Sequence, residues 1–393
     1  MHLYKNRKGK QECMKTVCEL NKCVECHACK DLCPKDAIQI VDSGDCLNAT
    51  INEEKCINCN VCENVCQVNH PIEKKKSNVW FQGWSKNEEI RKSSSSGGLA
   101  AELARTVVKD GGVVCSCLFD GGKFTFAFAK CEEDLKKFVG SKYVKSNPEG
   151  IYKKIRKLLS EEKTVLFIGL PCQCTAVKKA TEKSNKGSLY TVDLICHGTP
   201  SQKVLDSFFT QYGCTLQDIQ SIRFRDKGKF SVEKDKKHIV TPGSMDCYSI
   251  AFLNGLIYTE NCYTCVYADS KRVTDITIGD SWGTELPESG KGVSLILCNT
   301  ERGEKLVKKS NVYITDVDME KAIASNPQLR AATVMPEKRE EFFKGYKEGK
   351  NFNFLVMKCC TKKWFRQFIK RQLIRVKIVK EGVTYSISYT RKT

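Results

Sequence analysis

The stretch Lys22-Cys-Val-Glu-Cys-His-Ala-Cys-Lys-Asp-Leu-Cys33-Pro34 sets four thiols at spacings of two, two and three intervening residues. A second stretch, Lys55-Cys-Ile-Asn-Cys-Asn-Val-Cys-Glu-Asn-Val-Cys66-Gln67, repeats the pattern 33 residues later. A self-similar pair of this kind reads as one small unit built twice. The chain carries 24 cysteines in 393 residues, and its opening MHLYKNRKGKQECM lacks the apolar run of a signal peptide. A cytoplasmic protein is therefore expected, in which thiols stay reduced and clustered cysteines serve first as metal or redox ligands.

The run C-x2-C-x2-C-x3-C-P is the bacterial ferredoxin signature: three closely spaced thiolates hold three corners of a 4Fe-4S cubane, and the fourth cysteine ligates the other cluster. By that logic Cys23, Cys26, Cys29 and Cys66 hold one cluster, and Cys56, Cys59, Cys62 and Cys33 hold the second. Pro34 redirects the chain after Cys33, whereas the second copy has Gln67 at that place and keeps its sulfurs. Zinc knuckles are the competing reading, but zinc takes four ligands per ion from more separated pairs.

Outward from the repeat, Glu73-Lys-Lys-Lys-Ser-Asn78 is a charged linker, so a boundary falls near residue 78. Beyond it, strand-like runs at 112–119, 165–170, 189–195 and 222–225 alternate with helix-like runs at 98–108, 151–159 and 202–212. The expected fold is an α+β ferredoxin-like two-cluster module over 1–78, then a larger α/β domain over 79–357. Residues 358–393 form a basic tail: 358–380 holds nine Lys or Arg among Trp364, Phe365, Phe368, Ile369, Leu373 and Ile374. That spacing gives a helix with an apolar face, suited to the inner surface of an anionic membrane, to a partner, or to its own domain. The formal charge of +19 is scattered lysine without interleaved aromatic and basic recognition motifs, so no nucleic acid is expected. No apolar run approaches the length of a membrane span.

Three features of the larger domain carry chemistry. Ser93-Ser-Ser-Ser-Gly-Gly98 feeds a helix N-terminus, an arrangement that suits phosphate, although such tracts are also plain linkers. The strands at 165–170 and 189–195 deliver Cys172 and Cys196 to the C-terminal edge of a sheet, where α/β folds bind ligands. Asn261-Cys-Tyr-Thr-Cys265 adds a C-x2-C pair. Cys172, Cys196, Cys262 and Cys265 could together hold a third cubane; equally, the first two could be buried apolar thiols and the pair a zinc site or neither.

The ordered motifs SSSSGGLAAELA, GSKYVKS, GLPCQ, DLICHGTPS and CYTCVYADSKRVTDITIGDSWG resemble the coenzyme F-420 hydrogenase/dehydrogenase beta-subunit family, here behind a ferredoxin module. The resemblance spans about residues 93–282 and implies FAD beside a third 4Fe-4S cluster, with electrons passing between flavin and a deazaflavin coenzyme or another two-electron acceptor. Relatives include chlorophyll-pathway reductases and proteins of surface-polysaccharide synthesis. Carried over by motif, Ser95, Ser96, Gly97, Gly98, Lys142, Tyr143, Gly169, Pro171, Gln173 and Asp280 become cofactor-site residues, and Cys172, Cys196, Cys262 and Cys265 become ligands of the flavin-side cluster. His197, whose pKa lies near neutrality, is the candidate proton donor, against the alternative of a structural histidine. The implied function is an iron-sulfur flavoprotein oxidoreductase; the alternative is an electron-transfer subunit without its own substrate. Partners on either reading are a redox protein or a deazaflavin, and a homo-oligomer is open.

Overall fold

The structure is a computed structural model that describes residues 2–5, 11–184 and 186–378. It is a mixed α/β chain organised around one large mixed sheet. A terminal hairpin pairs β1 (His2–Lys5) with β2 (Gln11–Met14), and the cysteine repeat is built around a second, β3 (Ile38–Asp42) with β4 (Leu47–Ile51). Short helices Ala28–Asp31 and Val61–Val65 flank that second hairpin.

The repeat is visible in the backbone itself. Glu25 and His27 take left-handed φ values of 53° and 57°, and 33 residues on Asn58 and Asn60 take 55° and 57°. Such a conformation costs a non-glycine residue on the order of 1 kcal/mol. It recurs here because each loop must coil tightly enough to turn successive thiols inward, the kind of strain that collects at functional sites.

The main sheet contains β5 (Val79–Ser85), β6 (Val113–Asp120), β7 (Lys123–Ala129), β8 (Thr164–Gly169) and β9 (Ser188–Leu194). After a small sheet of β10 (Ile222–Asp226), β11 (Lys229–Lys234) and β12 (Lys237–His238), it is completed by β13 (Ile276–Asp280), β14 (Ser294–Cys298) and β15 (Val312–Asp316). Its order is β15-β5-β14-β13-β9-β8-β6-β7; the four strands β13, β9, β8 and β6 run parallel and the outer pairs antiparallel. The strand runs read from sequence at 112–119, 165–170, 189–195 and 222–225 correspond to β6, β8, β9 and β10 within a residue or so.

Strand β8 shows how the sheet is covered. Val165 and Phe167 face a core that includes Ile151, Ile155, Leu159 and Val177, while Leu166 and Ile168 face another with Leu99, Leu103 and Val107. Period-two alternation with apolar residues on both faces marks a strand buried on both sides. The first of these cores also contains Val17, Cys23, Cys29 and Ile38, so the cysteine module shares its interior with the sheet domain.

Polar contacts fix that docking. Helix Ile151–Ser160 begins after Gly150, which has no capping side chain, and Asp31 of the module supplies the cap: its Oδ2 accepts from the Tyr152 N–H at 3.0 Å and the Lys153 N–H at 3.4 Å. A carboxylate there satisfies orphan donors and meets the positive end of the helix. Tyr152 donates its hydroxyl back to the Cys26 carbonyl, and Ser201, N-cap of helix Gln202–Thr210, donates to Asp42.

The C-terminal segment differs from the single helix expected over 358–380. Helix Phe352–Cys359 ends at Cys360, and a second, Thr361–Arg375, leaves at a new angle after that residue's φ of −121° and ψ of 37°. The first helix runs through the expected boundary at 357, with Phe352, Leu355 and Val356 buried. Residues of the tail beyond 378 lie outside the described residues. Among the described residues no helix is long and apolar enough to cross a membrane.

Candidate redox site

The two thiol sets of the repeat line two separate cavities, each completed from the other half. Cys56, Cys59 and Cys62 share a cavity of about 270 Å³ with Cys33, near the surface, where Cys59 and Ile57 are exposed. Cys23, Cys26 and Cys29 share a tighter one, about 20 Å³, with Cys66. Among the described residues no group of three or more His, Cys, Asp and Glu is arranged around a single metal ion. Four thiols ringing a cavity are the donor set of a cubane, so the residues fit that group by chemistry and by the crossed connection. Backbone donors add support at equivalent places: the Glu25 N–H reaches Cys23, and the Asn58 N–H reaches Cys56 at 3.4 Å. Hydrogen bonds to cluster sulfurs are one means by which a protein tunes a cluster.

Cys18, outside the motif, also lines the tighter cavity, and hydrogen bonding with its thiol lowers Cys23 and Cys66, the latter to about 6. Burial pushes Cys26 the other way, to about 12. A thiol buried in apolar surroundings stays protonated until a cation supplies the countercharge.

A third set forms at the C-terminal edge of the parallel strands. Cys172 follows β8, Cys196 follows β9, and Cys262 lies within the short helix Glu260–Thr264 that Cys265 closes. Burial pushes Cys196 up to about 12, with Cys262 and Cys265 adding to it; burial likewise raises Cys172, opposed by Lys145 and reinforced by Cys265, Cys196 and Cys262. The four thiols are thus close enough to feel one another's charge.

One side chain joins the second cavity to this third set. Gln67, next to Cys66 and 3 % exposed, donates its amide to the Cys172 carbonyl at 2.7 Å and accepts the Tyr267 hydroxyl at 2.6 Å. The position where the first copy has Pro34 therefore needs a side chain with a donor and an acceptor, which proline lacks.

The cofactor-site candidates divide into two groups. Gly169, Pro171 and Gln173 build the turn that presents Cys172. Gln173 accepts from the Leu170 N–H at 3.0 Å and donates to the Ser146 carbonyl at 3.0 Å, and a Cβ on Gly169 would meet the Phe167 ring at 2.8 Å. Gln173 is 2 % exposed, and its amide ties the turn before Cys172 to the Ser146 carbonyl. Gly97 also serves packing: its N–H donates to Ser294 Oγ and a Cβ would lie 2.6 Å from the Gly83 carbonyl oxygen, while Gly98 takes a φ of +91°. The loop approaches β5 and β14 closely at Gly97, and Gly98 stands at the N-terminus of helix Leu99–Lys109.

Ser95, Ser96, Lys142, Tyr143, His197 and Asp280 lie around a second feature, a buried guanidinium. Arg225 forms a two-pronged pair with Asp280 at 2.7 and 2.9 Å and donates to the Tyr143 hydroxyl at 3.3 Å. Its guanidinium lies 5.8 Å from the centre of the partly exposed Trp282 ring. Lys227, at the turn of the same hairpin, binds the carbonyls of Ser94 at 2.8 Å and Ser96 at 3.1 Å, and Ser95 Oγ accepts from the Ser141 N–H. The Lys142 ammonium is held by the Phe138 and Val139 carbonyls. His197 is exposed beside Cys196. A guanidinium beside the exposed Trp282 ring supplies donors and an aromatic face that fit a flavin nucleotide by chemistry.

Arg225 and Lys227 escape a sequence reading because β10 looks like an ordinary strand. The available signal is an irregularity: the β10–β11 register shifts between Arg223 and Arg225, and consecutive Phe224 and Arg225 are both buried. Bulges of this kind re-aim side chains near sites.

Residues 162–321 match the family model for the C terminus of the coenzyme F420 hydrogenase/dehydrogenase beta subunit, and residues 49–69 match a 4Fe-4S binding domain. Among solved structures the chain is similar to one in the xenon-derivatized F420-reducing NiFe hydrogenase complex from Methanosarcina barkeri. That match has 20 % identity and a TM-score of 0.46, over 64 % of this chain and 91 % of that one. No curated protein matches it.

The Gln67 bridge is testable. Gln67→Leu removes the bonds to the Cys172 carbonyl and the Tyr267 hydroxyl and is expected to lower stability by about 1–3 kcal/mol in anaerobic denaturant titrations. A midpoint equal to that of the unaltered protein would show that the bridge contributes nothing.

Proposed function

We propose that this chain, which carries the C-terminal domain typical of beta subunits in the coenzyme F420 hydrogenase/dehydrogenase family together with a 4Fe-4S binding domain, is an iron-sulfur flavoprotein oxidoreductase. It passes electrons between 4Fe-4S clusters and FAD, and on to a deazaflavin coenzyme or another reducible small molecule, with surface-polysaccharide metabolism one setting for it. The observation that carries this reading is the succession of thiol sets. They run from the exposed Cys33/Cys56/Cys59/Cys62 cavity, through Cys23/Cys26/Cys29/Cys66, to Cys172/Cys196/Cys262/Cys265, and His197 follows Cys196 directly.

Bound clusters would supply one-electron steps and a bound flavin the exchange between one- and two-electron chemistry. The chain's own residues then have separable tasks. The twelve cysteines hold the clusters; Ile57 and Val61 rim the outer cavity, where a redox partner can approach. Gln67, Tyr152 and Tyr267 fix the module against the sheet edge and keep water from the inner sets. Arg225, held by Asp280, would place positive charge beside a bound flavin, Ser95 and Ser96 would line its loop, and the exposed His197 would supply a proton.

Anaerobically purified protein reconstituted with iron and sulfide is expected to bind about one FAD per chain. Arg225→Gln, which retains donors but loses the charge, should weaken that binding at least tenfold, about 1.4 kcal/mol, with unchanged iron content. Protein that cannot be loaded with flavin contradicts the proposal. Reduction of bound flavin with no turnover of any small molecule until a partner is added would favour the electron-transfer subunit.

The partners include an anionic membrane surface. Helix Thr361–Arg375 packs one face inward through the buried Ile374, Gln367 and Arg371, which bind the Met245 N–H and carbonyl. Phe365, Phe368 and Ile369 are exposed, with Lys362, Arg366 and Arg375 also exposed on the helix. Apolar exposure with cationic flanks is the pattern of an interfacial helix. The protein is expected to float with phosphatidylglycerol vesicles and not with phosphatidylcholine alone, and Phe365→Glu with Ile369→Glu should abolish flotation; equal flotation of the double variant would contradict this contact.

A further inference from the structure

Lys145 has no part in the functions assigned above, yet it is one of the most deeply buried cations of the chain, 2 % exposed. Its Nζ donates to Thr259 Oγ1 at 3.2 Å, and Thr259 Oγ1 in turn lies 3.5 Å from Cys262 Sγ. On its other side it reaches the Val24 carbonyl, between Cys23 and Cys26, at 3.5 Å. The ammonium therefore stands between the inner thiol set of the repeat and the thiol set on the sheet edge.

A buried ammonium is costly unless countercharge is near, and two long contacts to neutral oxygens are weak compensation. Glu25, a carboxylate among its charged neighbours, is directed to His27 Nε2 at 3.7 Å. What surrounds the cation is sulfur: burial alone would lower its pKa, and Cys262, Cys172, Glu25 and Cys23 reverse the shift. A site of this kind is balanced when the flanking sulfurs carry negative charge.

We infer that Lys145 is a positioning residue for electrons: its fixed positive charge at the junction of the two inner thiol sets favours the electron-rich state of the clusters they hold, and makes this junction the sink of the relay. The inference rests on the cluster reading above. Accepting one electron from a one-electron reductant adds one negative charge to a cluster, with no bond made or broken, and the ammonium stabilises that added charge through a low-dielectric interior.

The test is a potentiometric titration of the reconstituted full chain with dithionite, followed by electron paramagnetic resonance. It compares the unaltered protein with Lys145→Gln, which keeps a donor, Lys145→Arg, which keeps the charge, and Thr259→Val, which keeps the lysine. Lys145→Gln is expected to make at least one cluster about tenfold harder to reduce, about 59 mV lower for a one-electron couple. Lys145→Arg and Thr259→Val should stay within a few-fold of the unaltered protein, and the Gln shift should persist in 1 M salt, which screens only exposed charge. Fully loaded Lys145→Gln with unchanged potentials overturns the inference while leaving the cluster reading intact. Should Lys145→Gln fail to load, a Lys145→Arg protein that loads with shifted potentials also overturns it, since the charge is then retained. Unaltered protein that binds no clusters overturns the cluster reading and this inference together.

Discussion

The contact between Gln67 and Cys172 is the constraint on which the arrangement depends. A ferredoxin-like module and an α/β sheet domain joined by a linker could sit in many relative positions. Here the residue after the last thiol of the repeat is hydrogen-bonded to the backbone of the first thiol of the third set, so two metal-binding candidates on different parts of the chain are held at bonding distance of a shared side chain. Tyr267 closes the other end of the amide, and with both ends satisfied the bridge is stable in a dry interior. The Asp31 cap on helix Ile151–Ser160 and the Tyr152 contact to Cys26 tie the module to the sheet domain in the same way.

The sheet contributes position more than chemistry. Parallel strands end at a common edge, and loops leaving that edge bring Cys172, Cys196 and Asp280 together from separate parts of the chain. The helical half contributes Cys262 and Cys265, while the β10–β11 hairpin contributes Arg225 and Lys227. Function on this fold therefore belongs to side chains at the edge, where loops meet, and the buried strands fix the distances between them.

Much of this was legible in sequence where information is local. The eight thiols of the repeat follow a spacing rule that a linear reading captures, and the left-handed residues at Glu25, His27, Asn58 and Asn60 show its physical basis in the backbone. Strands β6 and β8 were legible because both faces are largely apolar, and β9 because Tyr190, Val192 and Leu194 alternate along one face. Other features depend on distant partners. Nothing within ten residues of Lys145 says that Val24 and Thr259 will meet its ammonium, and Gln67 reads as a minor departure from proline until Cys172 and Tyr267 arrive from 105 and 200 residues away. Gln173 and Gly97 carry structural contacts that a linear reading of their motifs does not reveal: the first ties the turn before Cys172 to Ser146, and the second lets the serine loop approach Gly83 and Ser294. The break at Cys360 was hidden because the basic and apolar periodicity continues across it.

The central claim is that three thiol sets, one of them on the sheet edge, hold three clusters in one continuous relay. Iron analysis of the anaerobically reconstituted chain beside its Cys172→Ser and Cys33→Ser variants tests it most directly. The account predicts about twelve iron atoms per chain for the unaltered protein, falling by about four in either variant or leaving a converted three-iron cluster at the altered site. A count of about eight that Cys172→Ser leaves unchanged would contradict it.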